Sequence, residues 1–297
     1  MSDDPNKLVE LSGDEKALLV ERKAACPFIG SAVAQGNLLV RNDAKNPVAS
    51  IEEVRRLGNT GGGDLGDLLV LFASGNHAFM RGDSGKLDEP VPGGLFSLEF
   101  PGSQGSHSGH SGILQGDPKM PDSGRLSQAD FARLTSQAKD GWIKRSDVGQ
   151  FIAENLLRDP NSKVFGLKTA TLLADDLGEF VESIGSALMT KLFSLDDEAD
   201  TAHRDIEEKL TKLTGEDNLV GSAGEFGLLF AFLANRPGAR EIEDEPAVAV
   251  QDLEDMFVNK RLPDGWETWK KSRRDWVRNT TGLMISAGKR YHALKRR

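Results

Sequence analysis

The chain has 297 residues, a formal net charge of -9, 38% hydrophobic and 28% charged residues, and one cysteine. That size and balance suit a soluble globular protein with a sizeable core, and the acidic excess excludes nucleic acid as the main partner. A single cysteine excludes an intramolecular disulfide and any cysteine-rich zinc or iron–sulfur centre, and no apolar run approaches a membrane span.

Residues 1–22 read as a polar lead-in that ends in a short helix, Asp14 to Arg22. The opening residues carry no apolar signal-like core, so the expected location is the cytoplasm. Next comes the stretch holding the only cysteine, from Lys23 through Cys26, Pro27, Phe28 and Ile29 to Asn42. Proline suits the first turn of a helix, which predicts a helix beginning at Cys26 and Pro27. A thiol there faces the positive end of the helix dipole, which favours the thiolate. Two readings of Cys26 stand side by side. It is either a small buried hydrophobe, or a thiolate ligand to a haem iron, which needs no second cysteine and donates electron density that helps break an O–O bond.

Ser50, Ile51, Glu52 and Glu53 form a capping box that opens a helix to about Leu57. Asn59 to Asp64, with Gly61, Gly62 and Gly63, breaks it. The glycine run lacks the lysine and hydroxyl of a phosphate-binding loop, so it reads as a hinge between helices. Leu65 to Phe72 resumes as an apolar helix ending near Gly75. Residues 81–121 then shift to Gly, Ser and Pro and read as a long irregular connection. His107 and His110 stand in it without a third ligand, which leaves them short of a metal site. The segments around Gly124 and Gly141 resemble the centre of a calcium loop but lack its first carboxylate. They read as turns before helices at Ser127–Gln137 and Ser146–Leu157.

Asn161 to Leu213 reads as helical, with apolar residues from Leu172 to Phe193 near a 3.6-residue period. Glu225 is the only ionisable residue between Asp217 and Arg236, and in helical register it shares a face with Leu228, Leu229 and Phe232. A carboxyl in such surroundings loses hydration, which raises its pKa and suits it to general acid–base work; the other reading is an exposed glutamate in a first helical turn. A helix at Val250–Asn259, a turn from Lys260 to Trp266 and a basic amphipathic helix from Trp269 to Leu294 close the chain. Strand-like alternation is scarce. The expected class is therefore mostly α, a single helical domain, with a lead-in at 1–22, a body at 23–270 and a basic C-terminal helix at 271–297 packed on it or extending it.

Taken together these landmarks resemble the haem-thiolate peroxidases, the family of chloroperoxidase and the fungal unspecific peroxygenases. Ala25-Cys26-Pro27 and the residues to Asn42 are similar to the family's Pro-Cys-Pro ligand motif. Gln115, Gly116 and Asp117 sit where the family has Glu-Gly-Asp or Glu-His-Asp. Glu225 takes the place of the distal glutamate, and Phe257 to Trp266 is similar to the closing Phe-Phe-x-x-Glu-Arg-Leu-Pro motif. The landmarks follow the family's order between residues 24 and 268.

The resemblance implies a helical domain around a buried haem b, with Cys26 as the axial ligand to iron and Pro27 beside it. Gln115, Gly116, Asp117 and Lys119 would lie toward the haem propionates, and Glu225 would act as the catalytic acid and base on hydrogen peroxide. The implied substrate is a small hydrophobic or aromatic compound, oxidised or oxygenated by peroxide. Three departures qualify this. Gln115 replaces the family's glutamate, which removes an anionic ligand to magnesium or manganese, so Lys119 is expected to pair with a propionate instead. Ala25 replaces a proline. Asn218 stands near the place of an arginine that assists peroxide cleavage in the peroxygenases. Two alternatives remain open from the sequence: a haem-thiolate enzyme of dehydratase or isomerase type, and a non-catalytic helical interaction protein that binds through its basic C-terminal helix.

Overall fold

Each helix begins where local chemistry can satisfy its first free N–H groups. In the computed structural model, which describes residues 9–22, 24, 26–43, 46–80, 95–101, 125–158, 162, 164, 218–233 and 235–297, the first helix is α1 (Gly13–Arg22). The next is α2 (Pro27–Ala34), with proline in its first turn. Helix α3 (Ile51–Gly58) opens on the expected capping box, the Ser50 hydroxyl accepting from the Glu53 N–H at 3.4 Å. Helix α4 (Gly66–Asn76) follows the glycine turn. Ser127 caps α5 (Gln128–Thr135) by the same device, and α6 (Arg145–Arg158) comes next. Glu225 lies within α7 (Asn218–Leu233). Helix α8 (Val250–Leu253) runs into a wide π turn at Glu254–Val258, where a continuous helix was expected. Ser272 caps α9 (Arg273–Lys295).

The described residues are mostly helical, and they also carry two small antiparallel sheets that short, broken alternation had hidden. The first has the order β1 (Val9–Glu10), β2 (Val40–Asp43), β3 (Asn46–Ser50), β5 (Leu95–Pro101), β4 (His77–Met80). Strand β5 lies inside the stretch expected to be irregular. Pro47 lies at the end of β3 that β5 does not reach, so on that side no ladder bond needs its missing N–H. The second sheet has the order β6 (Trp142–Lys144), β8 (Glu245–Ala249), β7 (Arg240–Ile242). The expected turn before β6 is a two-residue hairpin, with Asp140 and Gly141 both left-handed at φ 51° and 79°. Apart from Ser162 and Val164, the expected helix at 161–213 lies outside the described residues, as do His107, His110 and most of the irregular stretch.

One continuous cluster of buried apolar residues runs from Leu11 and Leu19 through Phe151 to Trp276 and Tyr291. Helices α6, α7 and α9 form its centre. Gly227 of α7 meets Thr280 of α9, and Gly149 of α6 meets Ser286 of α9; a side chain at either glycine would overlap its neighbour. The Trp276 indole N–H donates to the Gly224 carbonyl at 3.0 Å. The apolar face of α9 is thereby buried against α6 and α7, while Arg274, Arg278, Lys289 and Lys295 are exposed. Residues Trp269 to Ser272, expected to be helical, instead form the approach to the helix. No helix among the described residues is long and apolar enough to cross a membrane.

Candidate functional site

Cys26 is the N-cap of α2, with extended backbone at φ -76° and ψ 118°. Its carbonyl accepts the first helical bond, from the Gly30 N–H at 2.9 Å. Pro27 has no N–H; the amides of Phe28 and Ile29 act on the sulfur in favour of its thiolate, although the Cys26 side chain makes no capping hydrogen bond. The helix is fixed from behind at two points. The Ser31 hydroxyl donates to the Met256 carbonyl at 3.2 Å, and the Gln35 side-chain oxygen accepts from the Leu262 N–H at 2.8 Å. The segment from Met256 to Leu262 is therefore bonded directly to the helix that carries the cysteine.

Glu225 is half-buried on α7. Cys26 and Glu225 line one narrow cleft, with about 70 Å³ of enclosed space. Its walls are apolar: Phe28 from α2, Leu65 and Leu69 before and within α4, Leu229 and Phe232 from α7, and Phe257 from the π turn. Pro27 and Leu228 also reach it, so the residues expected to share the face of Glu225 do so. Behind the wall Phe28 meets Phe232 edge-on at 5.1 Å and Trp266 at 6.0 Å. Lys271, fully buried, backs this aromatic group. Its ammonium donates to the carbonyls of Trp266 and Trp269 at 2.6 and 2.7 Å and lies 5.1 Å from the Trp266 ring centre.

Electrostatics in the cleft run against the simple dipole expectation. Burial pushes the Cys26 thiol up to about 11; the amides of Ile29 and Phe28 and the charge of Lys260 oppose this, and the charge of Glu225 adds to it. Desolvation therefore outweighs the helix N-terminus, and without a metal the thiol is neutral. Burial likewise brings Lys260 down to about 8, with Cys26 acting in the other direction. Cys26, Glu225 and Lys260 thus form one electrostatic group. Sequence reasoning did not single out Lys260, or the aromatic backing at Trp266, Trp269 and Lys271. The only sequence signal for Lys260 was its place within the closing motif.

Of the expected site residues, the structure brings Cys26, Pro27 and Glu225 together. Gln115, Gly116, Asp117 and Lys119 lie outside the described residues. No family model, curated protein or solved structure matches this chain.

Proposed function

We propose that the chain is a haem-thiolate enzyme of the cytoplasm that uses hydrogen peroxide to oxidise or oxygenate a small hydrophobic substrate. The observation that carries this reading is that Cys26 and Glu225, 199 positions apart in the chain (225 − 26), line the same apolar cleft. The donor set fits haem b. A sulfur from α2 and a carboxyl from α7 line one apolar cleft, a soft ligand and a proton-transfer group among hydrophobic walls. The raised thiol pKa is no obstacle, because a coordinating metal removes the proton outright.

Cys26 would hold the iron through its thiolate, with the Phe28 and Ile29 amides sharing the sulfur's charge and fixing its direction. Haem, when bound, supplies the redox chemistry of peroxide cleavage and of oxygen or electron transfer. Glu225 takes a proton on a carboxylate oxygen from one peroxide oxygen and delivers it to the other. The walls from α4 and α7 keep bulk water from that carboxyl and offer an apolar surface to the substrate.

The test is the absorption spectrum of the full chain purified from haem-replete cells. A far red-shifted Soret band after reduction and carbon monoxide is expected, and Cys26→Ala should lose it. Pigment and spectrum unchanged in Cys26→Ala would refute the reading, as would a colourless wild type.

A further inference from the structure

A second recess lies between the end of α7, strands β7 and β8 and the first two turns of α9, and it shares no lining residue with the Cys26–Glu225 cleft. Its enclosed space is about 250 Å³, far beyond the ~10–15 Å³ that one water needs. Phe230, Leu233, Ala247 and Val248, all buried, supply its apolar lining. Among the described residues four charged side chains line it, Arg240, Arg278, Glu241 and Asp275, so the signs balance. Only Arg278 and Glu241 approach one another, at 4.0 Å and both largely exposed, which makes that pair weak.

The other two charges are unmatched. Arg240 rests on the Trp142 ring, 5.3 Å from its centre, with no carboxylate at ion-pair distance among the described residues. Asp275 accepts from the Asn235 amide at 3.3 Å, and no cation among the described residues stands at ion-pair distance from it. Between them lies a buried polar group, Asn279, only 2% exposed. Arg145, at the start of α6, donates to its Oδ1 at 3.4 Å. The guanidinium reaches that place by lying over Gly282, where any side chain would overlap it. With Oδ1 so engaged, the Nδ2 N–H groups of Asn279 have no acceptor among the described residues and are not sealed in the core, so they face the recess. A donor in such a place is costly to leave unmatched and favours an anionic oxygen in front of it. A lone anion in the recess would meet the Asp275 carboxylate, and a lone cation would meet Arg240. The lining calls instead for a molecule that carries both charges, no net charge and an apolar group.

We infer that this recess binds a free α-amino acid with an apolar side chain. Arg240 and the Asn279 amide hold its carboxylate, Asp275 holds its ammonium, and its side chain lies against Phe230, Leu233 and Val248. The seat uses neither Cys26 nor Glu225, so haem binding and amino acid binding succeed or fail independently.

The experiment is isothermal titration calorimetry of the full chain as purified, at neutral pH, with L-leucine and L-phenylalanine. Two analogues accompany them: L-leucinamide, which lacks the carboxylate, and 4-methylpentanoic acid, which lacks the ammonium. Wild type should bind at least one of the two amino acids saturably, with Kd of about 1 mM or lower. It should bind each analogue about tenfold or more weakly than L-leucine, the size of one charge-assisted pairing. Arg240→Gln, at an exposed position, and the isosteric Asp275→Asn should each weaken amino acid binding by about tenfold or more, with far-UV circular dichroism showing that the variants are folded. Asp275→Asn should bind 4-methylpentanoic acid at least as well as wild type does, because the carboxylate that repels it is gone. Should a variant fail to fold, the analogue series on wild type decides alone. No saturable binding of either amino acid, an analogue that binds as tightly as L-leucine, or folded variants that bind as wild type does would each overturn the assignment.

Discussion

The ionisation of Cys26 is the most direct physical handle on the site. It is the sole cysteine, so every thiol adduct reports it. Burial lifts its pKa from 9.0 to about 11, because the cleft walls withdraw water from the sulfur and two amide N–H groups and one nearby amine restore only part of what is lost. At pH 8 an ordinary thiol would be about one-tenth ionised and this one about one part in a thousand, so alkylation of the native, pigment-free chain should run about a hundredfold slower than that of the unfolded chain. The assay is iodoacetamide labelling followed by intact mass between pH 7 and 11, in buffer and in urea. The native rate should climb tenfold per pH unit without levelling until close to pH 11, whereas the unfolded rate should level soon after pH 9. The stability consequence has a definite sign. The fold favours the neutral thiol, so the unfolded chain ionises first, and stability present below pH 9 is lost as pH rises toward 11. Relative to Cys26→Ala, that loss should reach about 2–3 kcal/mol. A native rate that levels at or below pH 9 would refute the reasoning, since the helix N-terminus and Lys260 would then outweigh burial.

Three further outcomes test the site and its support. Glu225→Gln should retain the pigment and the carbon monoxide spectrum, while kcat/KM for peroxide falls by about a hundredfold to ten-thousandfold, the range for a lost general acid–base group; unchanged peroxide turnover would count against its role. Lys271→Met removes two charge-assisted bonds to the Trp266 and Trp269 carbonyls but also relieves the burial of an ammonium whose pKa desolvation lowers to about 8. The balance should cost about 1–3 kcal/mol at pH 7 in denaturant melts. The wild type, whose folded lysine loses its proton more readily than the unfolded one, should gain stability as pH rises from 8 to 10.5, and the variant should not; a variant more stable than wild type at pH 7 would reverse this account. Gly61→Ala places a methyl group against the Trp269 carbonyl at a residue with φ 68°, and should destabilise by about 2 kcal/mol or more; an unchanged melt would mean that the turn relaxes freely.

What could be read in the sequence depended on how local its cause was. Proline after Cys26 and the serine caps at Ser50 and Ser127 act within one helical turn, and the structure has them where the sequence places them. The face shared by Glu225, Leu228, Leu229 and Phe232 follows from helical geometry alone. The strands were hidden because each spans only two to seven residues and several draw a partner from far along the chain, as when Val48 pairs with Ser97. Lys271 looked like part of a basic helix. It is instead buried before that helix begins, since its ammonium finds two carbonyls and an aromatic face that no local pattern announces. The thiol was misjudged for a related reason: the helix dipole is visible in the sequence, whereas the desolvation that overrides it comes from α4, α7 and the π turn.

That reversal bears on which chemistry the cleft can support. A cysteine that attacks substrate as a nucleophile needs a depressed pKa, usually from a neighbouring cation or a base that takes its proton. Here burial acts the other way, the negative charge of Glu225 pushes the thiol further from ionisation, and no histidine lines the cleft among the described residues. Such a thiol is slow toward electrophiles and slow to oxidise. A metal cation changes the balance, because it adds to the cleft far more positive charge than Lys260 supplies and displaces the proton as it binds. The same desolvation then strengthens the attraction between sulfur and metal. A thiol that is inert alone and becomes a ligand only when a cation arrives is consistent with metal ligation and argues against covalent catalysis. For that reason the Cys26 titration discriminates between the two chemistries before any substrate is known.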